Sequence, residues 1–400
     1  MASSRPQPLE GVTVLDLTQI YNGPYATYLM AMAGARVIKV EPPGGEHLRR
    51  RGATSGAALP FAMLNGNKEA VTINLKHPKG RDLLLKMATG ADVLVENFAP
   101  GVLERLQLGK RQLEDCNPRL IYASGSGYGT DGPYRDYPAM DLTVQAMSGV
   151  MSVTGDPLGP PTKVGPAICD FFGGIHLYGA IATALFERER TGTGRVVEVS
   201  MMEAVYASLS SNLGLFYGSG GEAPMRTGNR HGGLSLCPYN VYPTSDGHIA
   251  IICNHELHWQ GLLRAMQRPD LARDPRMADM KARVAHMELV DEQVGQWTGR
   301  LGKQVAFDRL IAERVPCAPV RDLKEVVSDP HLIARGMLEK IDHPEFGPLT
   351  VARSPLRFDG SPAVPLRASP RLGSGNQDVF GTWLGMPQEE IALLASEGAI

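Results

Sequence analysis

The sequence predicts an α/β fold organised around an open, parallel sheet. Short apolar runs alternate with helical patterns through the first two hundred residues, and Gly- or Pro-containing breaks separate them at the spacing of βαβ units. Beyond about Ser219 the texture changes to a short β pair and charged amphipathic helices, which predicts a second, smaller α+β domain.

The elements follow in order. Val12–Thr18 reads as a buried strand, and Gly23-Pro24 opens a helix that closes on Gly34. Arg36–Glu41 is a second strand, Pro78–Thr89 a helix and Ala91–Phe98 a third strand. Two short helical stretches, Gly101–Leu106 and Lys110–Asp115, lead to a strand at Leu120–Ser124. Gly125–Tyr137 reads as a loop, Asp141–Val150 as a helix, and Gly155–Gly165 as a second loop that delivers the chain to Asp170. Phe171–Glu189 predicts one long helix, with Phe171, Ile175, Leu177, Ile181 and Leu185 on its apolar face. Arg195–Ser200 is a strand and Glu203–Leu215 a helix. The turn TSDG joins strands Tyr239–Pro243 and His248–Cys253, and helices continue to about Arg314. The predicted partition is 1–218 for the large domain, 219–320 for the small one with its linkers, and 321–400 for a return to the large domain, which Val315–Val320 and the Pro-rich tail suggest. Helices on both faces of such a sheet leave ligands at the carboxyl ends of the strands.

Composition narrows the function. Forty basic against forty-two acidic residues give a net charge of -2, which offers no footprint for nucleic acid and no basic cluster for an anionic membrane. The N-terminal MASSRPQPLEG has no apolar core and no run of about eighteen apolar residues occurs, so neither a secretory signal nor a membrane span is expected. Five widely spaced cysteines fit reduced thiols in a cytoplasmic setting, without a zinc or redox motif. Gly125–Gly129 lacks the third glycine of a dinucleotide fingerprint, and no P-loop or GxSxG elbow is present. His255 and His258 are three apart rather than four, which suits a solvated helix start better than a metal; no metal or permanently bound cofactor is expected.

Asp170 remains, in the setting VGPAICDFFGG. An Asp just ahead of a long apolar helix is most simply an N-cap. The same placement would keep a carboxylate ionised for nucleophilic attack, so both readings stand on the residues alone. Gly173 and Gly174 cost helix propensity, which implies close approach of a ligand or of a packed helix. Cys169 is a second conceivable nucleophile, although a small buried residue describes it better.

Ordered motifs extend over most of the chain: LEGVTVLDLT (9–18) with Gly23-Pro24, GARVIKVEPPG (34–44), NGNK (65–68), DVLVENF (92–98) with Pro100-Gly101, Gly127-Tyr128-Gly129, DLTVQAMSG (141–149), Asp170, TGTGR (191–195) and SMMEA (200–204). In this order they resemble the class III coenzyme A-transferases, the CaiB/BaiF type that includes formyl-CoA and carnitine CoA-transferases. The resemblance implies a Rossmann-like large domain whose open parallel sheet is built from both chain ends, and two chains interlocked as a homodimer. It implies transfer of coenzyme A from an acyl-CoA donor to a carboxylic acid through a covalent adduct on Asp170, with Gly232 and Gly233 supplying oxyanion amides. Family-matching CoA contacts are Ile20, Tyr21, Lys76, Arg105, Ser126 and Tyr128. Lys76 and Arg105 are otherwise ordinary surface charges, and Tyr128 an ordinary packing aromatic. Arg49, Arg50 and Arg51 follow the second strand near the family's substrate side, and Arg50 is assigned to a dicarboxylate acceptor; an exposed cluster is the plainer alternative. The chain lacks the long glycine lid of formyl-CoA transferases, which argues against oxalate. An α-methylacyl-CoA racemase is the nearest rival, but its expected His position holds Met140, or Ala139 in a shifted register. A non-catalytic acyl-CoA-binding protein is the rival from another class.

Overall fold

The computed structural model describes residues 5–51 and 58–400; residues 1–4, part of the segment read above for a leader, lie outside that set. The chain forms two compact units, one of residues 1–148, 166–205 and 328–400, the other of 149–165 and 206–327.

The first unit contains six parallel strands: β1 (Thr13–Asp16), β2 (Arg36–Glu41), β3 (Glu69–Thr72), β4 (Val93–Glu96), β5 (Ile121–Ser126) and β6 (Val196–Ser200). They lie in the order β3-β2-β1-β4-β5-β6. The chain therefore reverses direction across the sheet between β1 and β4, and the carboxyl ends of those two strands diverge to leave a crevice. Both faces are covered. One core gathers Leu15, Ile38, Val71, Leu84, Leu94 and Phe380; the other gathers Val14, Val37, Val93, Ile121, Leu177 and Ile181.

Three expectations need correction. β3 was not foreseen, because its four residues follow the turn-like Asn65–Lys68 and show no alternation. All six strands come from residues 13–200, so the chain's other end adds no strand to this sheet. It supplies instead a separate hairpin, β10 (Leu338–His343) with β11 (Gly347–Ala352), and a cover for the β3 edge. There the Gly375 amide donates to the Ala70 carbonyl at 2.8 Å, and Asn376 accepts from the Thr72 amide at 2.9 Å. An open edge strand is thereby closed to pairing with another chain. Third, Ile175 is 50% exposed, whereas Leu177, Ile181 and Leu185 are buried. The helix spans Ile168–Thr191, and its length and composition alone are enough to cross a membrane; its buried face packs in the sheet core.

In the second unit an antiparallel sheet, β7 (Tyr239–Thr244), β8 (Gly247–Ile252) and β9 (Cys317–Pro319), packs with helices Glu256–Met266, Met287–Thr298 and Lys303–Ala312. The segment Val315–Val320 thus pairs here rather than beginning a return. The loop Gly149–Gly165 also belongs to this unit, and the division falls after Val205 rather than after residue 218. Arg283 is fully buried, bonded to Glu256 and to the carbonyls of Cys237 and Met277.

Candidate active site

The crevice between β1 and β4 is a cavity of about 530 Å³. Its walls are the loops that follow β1 (Gln19, Ile20, Asn22), β4 (Asn97–Pro100) and β5 (Gly127–Gly129), with Arg105, Arg135–Met140, Asp170 and Met201. One carboxamide fastens the first two loops. Asn97 accepts from the Gln19 amide and donates to the Gln19 carbonyl, both at 2.8 Å. Directly after the anchored Gln19, Ile20 takes φ +66°, a left-handed conformation that a β-branched residue adopts only under strain of about 1–3 kcal/mol. Ile20 is thus held against the cavity by its neighbours rather than by preference.

Asp170 reaches the cavity from the first turn of the Ile168–Thr191 helix. It does not cap that helix. The N-cap position is Ala167, and the carboxylate that serves the first-turn amides comes from Asp141, whose Oδ1 accepts from Cys169 at 2.8 Å and from Asp170 at 3.3 Å. Asp141 is itself held by Gln145, which donates to its Oδ2 at 2.7 Å. Asp170 is left 7% exposed, with no hydrogen bond to its carboxylate among the described residues. Burial, and then the charge of Asp141, push its pKa up to about 7. The sequence reading expected a lowered value from the helix end; desolvation and a second acid override it. Burial and the same two acids lift the Cys169 thiol to about 12, so this buried cysteine is no thiolate nucleophile.

Gly173 and Gly174 are explained by helix packing. A Cβ on Gly173 would stand 2.2 Å from Asn22 Nδ2, and one on Gly174 would stand 2.5 Å from the Asn22 carbonyl. The Asn22–Met32 helix therefore approaches this turn more closely than any side chain would allow. The glycines at the end of β5 serve the same close packing: a Cβ on Gly125 would meet Asn22 Oδ1 at 2.6 Å, and one on Gly127 would meet Ala139 at 2.0 Å.

Of the residues singled out in the sequence, Ile20, Arg105, Ser126, Tyr128 and Asp170 line this one cavity. Ser126 Oγ accepts from the Gly129 amide at 2.9 Å and shapes the loop, while Tyr128 packs edge-on against Tyr134 and Tyr137. The others are elsewhere. Tyr21 is not in the lining and stacks on Phe171 at 6.2 Å. Lys76 is an exposed residue beside the start of the Pro78–Thr89 helix. Arg50 is exposed, outside the lining, and contacts His47 at 3.3 Å. Its neighbour Arg49 is engaged by the buried Glu41 at 2.8 Å and lies over the Phe61 ring. Gly232 and Gly233 belong to the second unit, where the Gly233 amide donates to His231 Nδ1 at 3.2 Å. His255, as expected of a helix start, caps the Glu256–Met266 helix by accepting from the Leu257 amide.

Sequence reasoning missed Asn22, Arg135 and the partnership of Asp141 with Asp170. Arg135 joins Arg105 at one point: their guanidinium nitrogens lie 3.8 and 3.1 Å from where a Cβ on Gly101 would stand. Two guanidinium groups of the lining that converge in this way are suited to an anion through charge-assisted hydrogen bonds. Among the described residues no histidine lines the cavity.

A switch-point crevice with a buried acid and two arginines is suited to an anionic substrate that reacts with a carboxylate. Comparison with known proteins is decisive: the family described as CoA-transferase family III matches residues 9–376. The chain belongs to CoA-transferase family III. It is an enzyme, a CoA-transferase, and acyl-CoA and a carboxylic acid are its classes of substrate. This CoA-transferase is 37% identical over 408 residues to the formyl-CoA:oxalate CoA-transferase of Streptomyces avermitilis, covering 98% of this chain and 99% of the relative. It is 40% identical to the acetyl-CoA:oxalate CoA-transferase of Acetobacter aceti, covering 83% and 86%. It is also 37% identical to the succinyl-CoA:mesaconate CoA-transferase of Haloarcula marismortui, covering 91% and 93%. A CaiB/BaiF family protein from Brucella suis superposes with a TM-score of 0.83 at 32% identity, covering 94% of this chain and all of that one.

Proposed function

We propose that this CoA-transferase passes coenzyme A to a dicarboxylic acid through covalent adducts on Asp170. The observation that carries the proposal is the carboxylate itself: buried, without a hydrogen bond among the described residues, and in the lining of the switch-point crevice. The ionised carboxylate attacks the donor thioester, forming a mixed anhydride and releasing CoA thiolate. The thiolate attacks the Asp170 carbonyl, giving an aspartyl-CoA thioester and the free donor acid. The acceptor carboxylate then attacks that thioester, and the returning thiolate carries CoA away on the acceptor while Asp170 is regenerated.

Burial serves this chemistry in two ways. It excludes water, which would hydrolyse the anhydride, and it leaves the carboxylate poorly solvated and hence reactive. Lack of an imidazole in the lining favours transfer over racemisation, which needs a proton-exchanging partner opposite the acid. The proposal of a dicarboxylate acceptor rests on the relatives, named for oxalate, mesaconate and glutarate. Oxalate, disfavoured from the sequence, therefore stays in the acceptor panel. Arg50 is exposed outside the crevice, so the acceptor's distal carboxylate is not assigned to it.

Arg105 and Arg135 are assigned to a phosphate of CoA, with Ile20, Ser126 and Tyr128 shaping the wall along the pantetheine arm. Arg105→Ala should raise KM for the acyl-CoA about tenfold, the loss of one charge-assisted contact, with kcat almost unchanged. Steady-state kinetics with acyl-CoA varied at saturating acceptor check this; an unchanged KM removes Arg105 from the site. Gly232 and Gly233 are retained in the proposal as oxyanion donors within an interlocked homodimer, a role in which the Gly233 amide exchanges its His231 acceptor for the oxyanion. Light scattering on the purified protein should give the mass of a dimer, and a monomer would remove this part of the proposal.

Hydroxylamine tests the covalent reading. Enzyme incubated with succinyl-CoA and then with hydroxylamine should lose activity, with a hydroxamate on the peptide that carries Asp170. If CoA binds but Asp170 stays unmodified, the chain is a binding protein or uses another route.

A further inference from the structure

Asn22 is 3% exposed, yet neither its Nδ2 nor its Oδ1 has a hydrogen-bond partner. Buried polar groups without partners are costly and rare in folded proteins, so each one calls for a reason. Among the described residues with such orphaned atoms, only Asn22 lines the cavity that Asp170 also lines. The surroundings make room for this side chain at the expense of local stability. Gly125 and Gly173 both lack the Cβ that would strike its carboxamide, at 2.6 and 2.2 Å, and Gly173 lies one turn beyond Asp170 on the same helix. Glycine in a helix interior is unfavourable, so the room left for the amide lowers helix propensity at Gly173.

The lining thus includes two unmet groups: an acid that accepts no hydrogen bond and a buried amide that donates none. We propose that the Asn22 carboxamide is a further hydrogen-bond donor of the site, its Nδ2–H serving the carbonyl oxygen of the acyl or thioester adduct carried by Asp170. This deepens the covalent reading given above and rests on it. Among the described residues no oxygen accepts from the amide; adduct formation places a carbonyl in the cavity, and each tetrahedral step puts negative charge on that oxygen. A buried donor on the cavity wall stabilises such charge at a smaller reorganisation cost than water does.

Asn22→Ala and the nearly isosteric Asn22→Leu separate this role from packing. Both variants should lose kcat on the order of 10²-fold, the usual effect of deleting one oxyanion donor, while KM for both substrates stays within about twofold. Their thermal midpoints should match or exceed that of the unmodified enzyme, because the orphaned amide is gone. The proposal is overturned if kcat in either folded variant stays within about threefold of the unmodified enzyme, or if both variants lose kcat only in step with their midpoints. Asp170→Asn, run in parallel, keeps the two questions apart. Retained exchange there defeats the covalent reading, whereas an inactive Asp170→Asn with fully active Asn22 variants defeats the Asn22 assignment alone.

Discussion

Asp170→Asn should abolish CoA exchange, by on the order of 10³-fold or more, and at the same time stabilise the protein above neutral pH. The two effects have one cause. Burial and the charge of Asp141 hold the Asp170 carboxyl at about 7 against an ordinary 3.8, so ionising it in the folded state is unfavourable. Between about pH 4 and pH 7 the unfolded chain gives up this proton first and the folded protein retains it. Stability from this group is therefore complete below pH 4 and falls as pH rises through 7. An amide has no proton to lose, so the variant should gain on the order of 1–3 kcal/mol over the unmodified enzyme at pH 8, with the gain vanishing near pH 4. Urea unfolding at the two pH values reads this directly. A variant less stable at pH 8 would mean that the carboxylate is held by favourable partners, contrary to its lack of hydrogen bonds. Activity of the unmodified enzyme should climb with pH through about 7, since only the ionised form attacks.

The largest loss of stability is expected at Asp16, the last residue of β1. Its carboxylate is fully buried and accepts from Lys68 Nζ at 2.9 Å, Thr27 Oγ1 at 2.7 Å and the Thr18 amide at 2.9 Å. A second lysine, Lys39, lies 4.0 Å away with no exposed side-chain surface and donates to the Thr18 carbonyl. Burial alone would raise the Asp16 pKa, but the two ammonium groups and the hydrogen bonds outweigh it and hold the carboxyl far below the ordinary range. Asp16→Ala would strand two buried cations, one already depressed by burial to about 8. A cost of about 3–5 kcal/mol follows for an ion cluster broken on one side. Removing Glu114 from its exposed pair with Lys110 should leave the urea midpoint unchanged, which provides the control. Asp16→Ala lying within 1 kcal/mol of the unmodified enzyme would show that the lysines shed their protons at little cost. The cluster sits under the Gln19–Asn22 turn, so activity should fall along with stability.

How much of this was legible in the sequence depended on the distance over which each interaction acts. Strands β1, β2 and β4 carry short apolar stretches, Val14-Leu15, Val37-Ile38 and Val93–Val95, that are buried on both faces, and local pattern reveals them. β3 is four residues long and is defined by pairing with β2 and by the Arg36–Glu69 ion pair. Nothing within its own sequence announces either. The position of Asp170 was readable from the ordered motifs around it, but its environment was not. The cap on its helix comes from Asp141, distant in sequence, and burial together with the charge of that carboxylate reverses the expected pKa. The arginine run shows the same limit. Arg49 is claimed by Glu41 across a turn, and Arg50 is exposed outside the crevice lining, so adjacency in sequence did not make a shared site. Asn22 precedes the Gly-Pro of a helix start and looks like an ordinary first-turn residue; only its two unmet atoms in the fold set it apart.

Isotope transfer tests the covalent account most directly. Attack by an acceptor carboxylate on the Asp170 thioester makes an anhydride whose bridging oxygen came from the acceptor. The returning thiolate leaves that oxygen on Asp170. One turnover with an acceptor dicarboxylate labelled with oxygen-18 should therefore raise the mass of the Asp170 peptide by about 2 Da, and a second turnover should release the label in the donor acid. A peptide of unchanged mass after complete exchange would contradict the account, because CoA would then have moved without bonding to Asp170.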